Sequence, residues 1–435
     1  MDLLTSNIKK TYYKYLASAF GSALITSIYE IVDMAMVGQY QGPMGTAALA
    51  VVAPIWNIVF SLGLLTGMGG SILFAQAKGH NNEKEKDQSF SLSLFFTTFL
   101  ALVSWLVIIF FDTQLLLFFG ADDGILPLAK LYLKPIKFVL PTFLFAQMIA
   151  AFLRNDNSPS LATASVLAGG IFNIFGDYFF VFYLDMGIFG AGLATALGSV
   201  ITLALMLSHF FLQKNTLKIK KPNRVLFRIK RITQIGFASF LIDIAMGVLT
   251  ILFNRQIIKY ISSDALAVYG VIINISTIIH CCGYSIGQAG QPLVSTNFAR
   301  GKMDRVQLTL FYMIITAFIF GLLWTVSIFC FPLVFLNLFM KTTEQIFTIG
   351  PTILRTYGLS FLLIPFNVFS TYYFQSIMRP GLSLLIASAR GLVISSTLIL
   401  LLPLLFSPSS LWLAMPLTEL IVALFVVFSL KKHRT

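Results

Sequence analysis

About twelve apolar stretches of roughly 20–28 residues run through this chain, each near the ~20 residues a helix needs to cross the hydrocarbon core of a bilayer. They fall approximately at 14–37, 46–75, 90–111, 127–153, 160–183, 187–212, 232–258, 265–297, 307–332, 345–377, 381–405 and 409–430. A chain built this way is expected to be an all-α integral membrane protein. Its composition agrees: 11% of residues are charged, against about 25% in ordinary globular domains. The 43 phenylalanines suit a lipid-facing exterior. The first stretch follows a basic start and continues to full membrane length, so no cleavable signal peptide is expected. Cys281, Cys282 and Cys330 lie in apolar runs without zinc or disulfide spacing.

The formal net charge of +13 is a topology signal. With the N-terminus in the cytoplasm, the inside segments collect Lys9, Lys10 and Lys14, then Lys78, Lys84 and Lys86, then Arg154 and the basic cluster within 214–231. They also hold Arg300, Lys302 and Arg305, then Arg379, then Lys431, Lys432 and Arg434. That is 22 of the 30 basic residues, with little beyond Lys259 and Lys341 outside, as the positive-inside rule requires. Both termini are therefore expected to be cytoplasmic, in the cytoplasmic (inner) membrane. The excess charge draws anionic lipid, and no nucleic-acid partner is expected.

The stretch 214–231 divides the chain almost in half, and the halves resemble each other. Ala48-Leu49-Ala50-Val51 precedes the second span and Ala265-Leu266-Ala267-Val268 the eighth; Asn57 and Asn274 follow at the same distance. Gly63, Gly67 and Gly70 are matched by Gly283, Gly287 and Gly290, and the exits Ala77-Lys78-Gly79 and Ala299-Arg300-Gly301 correspond. Single glycines of this kind serve close helix packing; their recurrence points to duplication. Six spans per half in one orientation make a parallel repeat about an axis along the membrane normal, the plan of many secondary transporters. The expected organisation is an N-lobe at 1–213, a basic linker at 214–231 and a C-lobe at 232–435.

Glu30, Asp33, Asp177 and Asp243 sit inside or at the start of these spans. A charge at the bilayer centre costs about 2.5–3.5 kcal/mol on insertion scales, so such residues mark ion or proton pathways. Asn173 and Asp177 are four apart and share one helix face. Thr195 lies early in the next span, beyond a short turn containing Asp185 and Gly187, and Asp33 supplies a second carboxylate if the half closes around a common centre. Two carboxylates, an amide carbonyl and a hydroxyl are hard oxygen donors suited to Na⁺. Alternatively, two neighbouring carboxylates cannot both ionise cheaply, and one holds a proton. The spacing leaves both readings open.

Residues 31–38 (Ile-Val-Asp-Met-Ala-Met-Val-Gly), the Ala-Leu-Ala segment with Pro54, and the glycine-rich exit of the second span resemble the multidrug and toxic compound extrusion (MATE) family. So do Gln288-Ala289-Gly290-Gln291-Pro292 and the Arg300-Gly301-Lys302 exit of the eighth. The resemblance covers essentially the whole chain. It implies two six-helix lobes forming a V around a central cavity, and export of organic, often cationic, compounds in exchange for Na⁺ or H⁺ by alternating access. Asp33, Asn173, Asp177 and Thr195 match the N-lobe cation site of prokaryotic members. Glu30, Asp243 and Asn367 are held as additional coupling or substrate-binding candidates. Asp243 falls where some members carry an acidic residue, whereas the carboxylate of their tenth span is replaced here by Asn367. The family's bent first helix often carries a proline; this span has none, so any bend would use Gly21 or serines.

Arg390 in the eleventh span is expected to pair with a carboxylate or helix-end carbonyls, with Glu419 as its interior partner. Tyr269, Tyr357, Tyr372 and Tyr373 are packing residues first and cavity-lining residues second. His80 and His433 fall in cytoplasmic segments, and His209 and His280 have no metal-ligand spacing. No catalytic constellation and no phosphate-binding glycine loop appears, so neither an enzyme nor an ATP-driven pump is expected. A monomer without a cofactor is expected. The alternative is a flippase for lipid-linked saccharides, which would call for extra spans and a basic cavity.

Overall fold

The computed structural model describes residues 3–339 and 343–432; Lys341, His433 and Arg434 lie outside the described residues. Among the described residues, twelve helices are long and apolar enough to cross a membrane. They are α1 (Ile8–Gln41), α2 (Pro43–Gly79), α3 (Glu83–Phe118), α4 (Ile125–Asn155), α5 (Pro159–Tyr183), α6 (Gly187–Phe211), α7 (Val225–Tyr260), α8 (Asp264–Ala299), α9 (Met303–Cys330), α10 (Glu344–Ser376), α11 (Pro380–Leu405) and α12 (Pro408–Lys432). Each overlaps one expected apolar stretch and most extend beyond it, because polar residues continue a helix past the hydrocarbon core. A short helix, Pro332–Phe339, follows α9. No strand occurs among the described residues.

The chain forms two compact units. The first comprises Ala17–Phe240 with the N-terminal residues up to Asn7 and Ser295–Gly301; the second comprises Ile8–Leu16, Leu241–Val294 and the chain from Lys302 onward. In the first unit, α2 and α4 bury Val52, Ile55 and Val59 against Leu133, Ile136 and Leu140. A second cluster sets Phe152 edge-on to Phe74 and Phe90, at 5.6 and 5.1 Å between ring centres. Phe110, Phe118, Phe138 and Phe175 stand exposed on the outside, as a lipid-facing surface allows.

The glycines that recur in the sequence do the same work in each unit. A Cβ at Gly63 would lie 2.9 Å from the Leu144 carbonyl, and one at Gly67 3.0 Å from the Met148 Cα, both on α4. Gly70 faces Ser93 on α3. In the second unit Gly283 and Gly287 meet Val368 and Tyr372 on α10, and Gly290 meets Met313 on α9. In both halves, the second helix lays two glycines on the fourth and one on the third.

Three helices depart locally from regular α geometry. α5 ends in a π-helical segment, Tyr178–Tyr183, immediately after Asp177. α11 contains another, Ala389–Val393, which carries Arg390. Such wider turns arise where a helix trades regularity for the placement of a side chain. α10 is broken by a 3₁₀ turn at Leu359–Leu362 before Pro365. By contrast α1, which lacks proline, runs unbroken from Ile8 to Gln41.

The stretch before α7 is strapped to the first unit by side chains. Gln88 donates to the Lys221 carbonyl at 2.9 Å and accepts from the Asn223 amide at 3.0 Å. Ser91 Oγ accepts from the Lys220 amide at 2.8 Å, and Lys220 pairs with buried Asp87 at 2.7 Å. Asp156 takes the Thr216 amide at 2.8 Å and His209 Nε2 at 2.7 Å. His209 is thus a carboxylate partner.

Candidate functional site

Small residues bring α5 and α6 close enough to build a polar cluster inside apolar helices. A Cβ at Gly169 would lie 2.5 Å from the Gly198 carbonyl, and one at Gly176 3.0 Å from the Ala194 side chain. The hairpin between the helices turns at Asp185 (φ 54) and Gly187 (φ 55), and Tyr40 at the end of α1 donates to Asp185 at 2.5 Å. At the other end, Ser18 on α1 donates to the Pro159 carbonyl at 2.7 Å, and Thr163 donates to the Ser18 carbonyl at 2.8 Å. α1 is therefore fixed against α5 on either side of Asp33. Gly192 in α6 lies against the Tyr132 carbonyl, 2.1 Å from where its Cβ would be, so α4 joins the group.

Within this frame Asn173 Nδ2 donates to Thr195 Oγ1 at 3.1 Å. Tyr132 donates its hydroxyl to Asp33 Oδ2 at 2.7 Å, and that phenol also sits beside Thr195. Asp177 lies within electrostatic reach of Asp33. Asp33, Asn173 and Asp177 are 6%, 2% and 0% exposed. The structure thus gathers all four residues expected from sequence. It adds Tyr132, whose position near the start of α4 reads in sequence as an interfacial aromatic.

The hydrogen bonds do not close. Asp33 Oδ1, Asn173 Oδ1 and both oxygens of Asp177 are buried without a donor. Each orphaned acceptor costs about 1–3 kcal/mol, and more when charged, so a cluster of four is a strong demand for positive charge. All four are hard oxygens, the type that alkali cations take; a proton on one carboxyl would also supply a missing donor. Glu30, one turn before Asp33 and within reach of its charge, is exposed and outside the bonded cluster.

The second unit holds a different arrangement. Arg390 Nε donates to Glu419 Oε1 at 2.7 Å, the pairing expected from sequence. Asn367 Nδ2 donates to Glu419 Oε2 at 2.6 Å and to its carbonyl at 2.8 Å. The other arm of Arg390, Nη2, donates to His280 Nε2 at 2.7 Å, and His280 Nδ1 donates to the Ser276 carbonyl at 2.7 Å. Those partners require a neutral ring with its proton on Nδ1. Asp243, half-buried, accepts from Tyr284 at 2.9 Å. Asn367 is therefore a partner of Glu419, and its own Oδ1 has no donor. His280 and Arg390 border a small cavity of about 50 Å³ shared with Tyr269 and Tyr357. Tyr373 lines a separate groove with Phe311 and Phe318, while Tyr372 packs on Gly287 and is fully buried.

Twelve apolar helices in two matching sets, with buried carboxylates among them, define a duplicated multi-pass membrane protein. The chain belongs to the MatE family, whose sequence profile matches residues 18–179 and again 238–399. The two matches are the two halves of the repeat. Among its relatives, the multidrug export protein MepA of Staphylococcus saprophyticus is 25% identical over 285 residues. The match takes in 64% of this chain and 62% of that protein, so the chain spans less than two thirds of this relative's length. MepA of Staphylococcus aureus is 25% identical over 283 residues, with the same shares. Among solved structures, an outward-facing multidrug resistance MATE family transporter of the MOP superfamily superimposes with a TM-score of 0.91 at 20% identity, covering 99% of this chain and 97% of that one. A MOP superfamily transporter from Pyrococcus furiosus gives the same values. These likenesses establish the fold.

Proposed function

We infer that the chain is a secondary exporter of small organic molecules, cationic or amphiphilic, driven by exchange for Na⁺ or H⁺ at Asp33, Asn173, Asp177 and Thr195. The observation that carries this reading is the set of four buried acceptor oxygens without donors. The multidrug export named for the MepA relatives supports the choice of cargo.

The chemistry follows from the bonding. Tyr132 holds Asp33 by Oδ2 and leaves Oδ1 available. Thr195 engages the Asn173 amide nitrogen and so turns Oδ1 of Asn173 to the acceptor role. Na⁺ would bind these oxygens together with the Asp177 carboxylate. A proton would instead convert one carboxyl to a donor for its neighbour. Either ion relieves the buried negative charge, so the conformer in which these helices close on it is favoured by occupancy. Export is coupled when the ion binds one access state better than the other. Substrate then enters from the cytoplasmic side or inner leaflet and leaves outward.

The test is efflux of ethidium from proteoliposomes with ΔpH and ΔNa⁺ imposed separately. Transport driven by one gradient and lost in Asp177→Asn supports the reading and names the ion. Wild-type efflux by Asp177→Asn under that gradient refutes it.

A further inference from the structure

Three arginines at one end of the first unit have no full complement of negative charge. Arg228 and Arg231, three apart, share one face where α7 begins, and Arg224 stands immediately before its first residue. They border a cavity of about 140 Å³ between the first turns of α7 and those of α3, with Glu85 and Ser89 opposite and Leu73 and Leu92 as an apolar floor. Among the described residues, Glu85 is the only carboxylate lining it. It stands 3.9 Å from Arg228 and 3.7 Å from Arg231, too far for a charge-assisted hydrogen bond. Arg224, at φ 46 where the chain turns into α7, makes no ion pair among the described residues. The contrast with the neighbouring strap is direct, since Lys220 there is matched to Asp87 at 2.7 Å.

Apolar surface adjoins this charge. Leu226 and Phe227, in the first turn of α7, are 84% and 65% exposed. They stand at the end of a membrane-length helix. The occupant must therefore be an anion joined to apolar chain. Guanidinium groups bind phosphate oxygens in pairs, and the start of α7 adds its N-terminal dipole.

We propose that this cavity binds the phosphate of an anionic phospholipid, with the three arginines on the headgroup and the acyl chains along Leu226 and Phe227. The site is separate from the oxygen cluster and does not depend on which ion or cargo the protein handles.

Native mass spectrometry of the delipidated full-length protein tests it, with phosphatidylglycerol, phosphatidylcholine of the same chains, and glycerol 3-phosphate as probes. The wild type is expected to retain phosphatidylglycerol over phosphatidylcholine. Arg224→Gln with Arg231→Gln should weaken it about 25-fold, roughly fivefold per arginine, the weight of one basic side chain at an anionic membrane surface. Lys221→Gln with Lys230→Gln removes equal charge from exposed neighbours outside the cavity and should leave retention within twofold. Equal losses in the two double variants would mean diffuse surface attraction and overturn the site. Glycerol 3-phosphate binding as tightly as the lipid would make it a soluble-anion site and overturn the lipid assignment. If the arginine pair fails to fold, Arg224→Gln alone carries the test, because it breaks no pair, with a fivefold loss expected and an unchanged affinity refuting.

Discussion

In the first unit, Asp33 and Asp177 share a buried site with one phenol donor, Tyr132, and no basic side chain bonded to either. In the second, Glu419 receives a donor on each oxygen, from Arg390 and from Asn367, and His280 absorbs the arginine's second arm. The helical frame is the same, down to the glycines that seat α2 on α4 and α8 on α10. The settlement of charge differs. A buried carboxylate persists when it is paired inside the protein or when it takes a mobile cation. Glu419 in the second unit has taken the first course; the second is the course proposed for Asp33 and Asp177. Duplication supplied two matching scaffolds, and different side chains at a few positions settle buried charge differently in each.

The largest effect should come from opening the closed cluster. Glu419→Gln strands the Arg390 guanidinium and should cost about 3–5 kcal/mol of stability, read as a lower Tm in detergent. Replacing both partners by apolar residues, Arg390→Met with Glu419→Leu, should recover most of that Tm and keep efflux. If the double variant is stable yet transports nothing, the second cluster takes part in transport and the comparison breaks.

Next in size is Asp177→Asn, which removes the ionisable group but fills the same space. Gradient-driven efflux should fall by about 100-fold, toward the upper end of two-site coupling, with the Tm unchanged or raised. Tyr132→Phe removes the donor to Asp33 and should shift the ion concentration for half-maximal efflux by about tenfold, as one hydrogen bond to a charged group would. Its maximal rate should stay near that of the wild type. An unshifted half-saturation would remove Tyr132 from the site. The smallest effect belongs to Glu30→Gln. Glu30 is exposed, and changing it should alter efflux less than about twofold; a larger loss would extend the site along α1.

The membrane spans were readable because hydropathy reports directly on the solvent each segment meets, and every helix of membrane length falls on an apolar stretch. The Asn173–Asp177 pair was readable from helical spacing, Asp33 as a carboxylate inside an apolar span and Thr195 from the short turn before its span, and the resemblance to a family matched all four. Tyr132 was not, because a tyrosine near a span's start is common in membrane helices and nothing local marks it as a donor. Its role comes from Gly192 letting α6 approach α4. The π-helical turns beside Asp177 and around Arg390 left no mark in composition, since they arise from packing between helices. His280 showed no metal spacing, and its actual partner, Arg390, lies 110 residues away. Asn367 stands where a family carboxylate was expected, and what it does there depends on Glu419, two spans further along the chain.

Whether ion coupling resides in the first unit alone is tested most directly by transport. Proteoliposome efflux of ethidium should be measured under ΔNa⁺ and ΔpH separately, for the wild type, Asp177→Asn, and Arg390→Met with Glu419→Leu. One gradient should be effective in the wild type, the same gradient should remain effective in the apolar double variant, and Asp177→Asn should respond to neither. Gradient-driven efflux that survives in Asp177→Asn and disappears in the double variant would contradict coupling in the first unit.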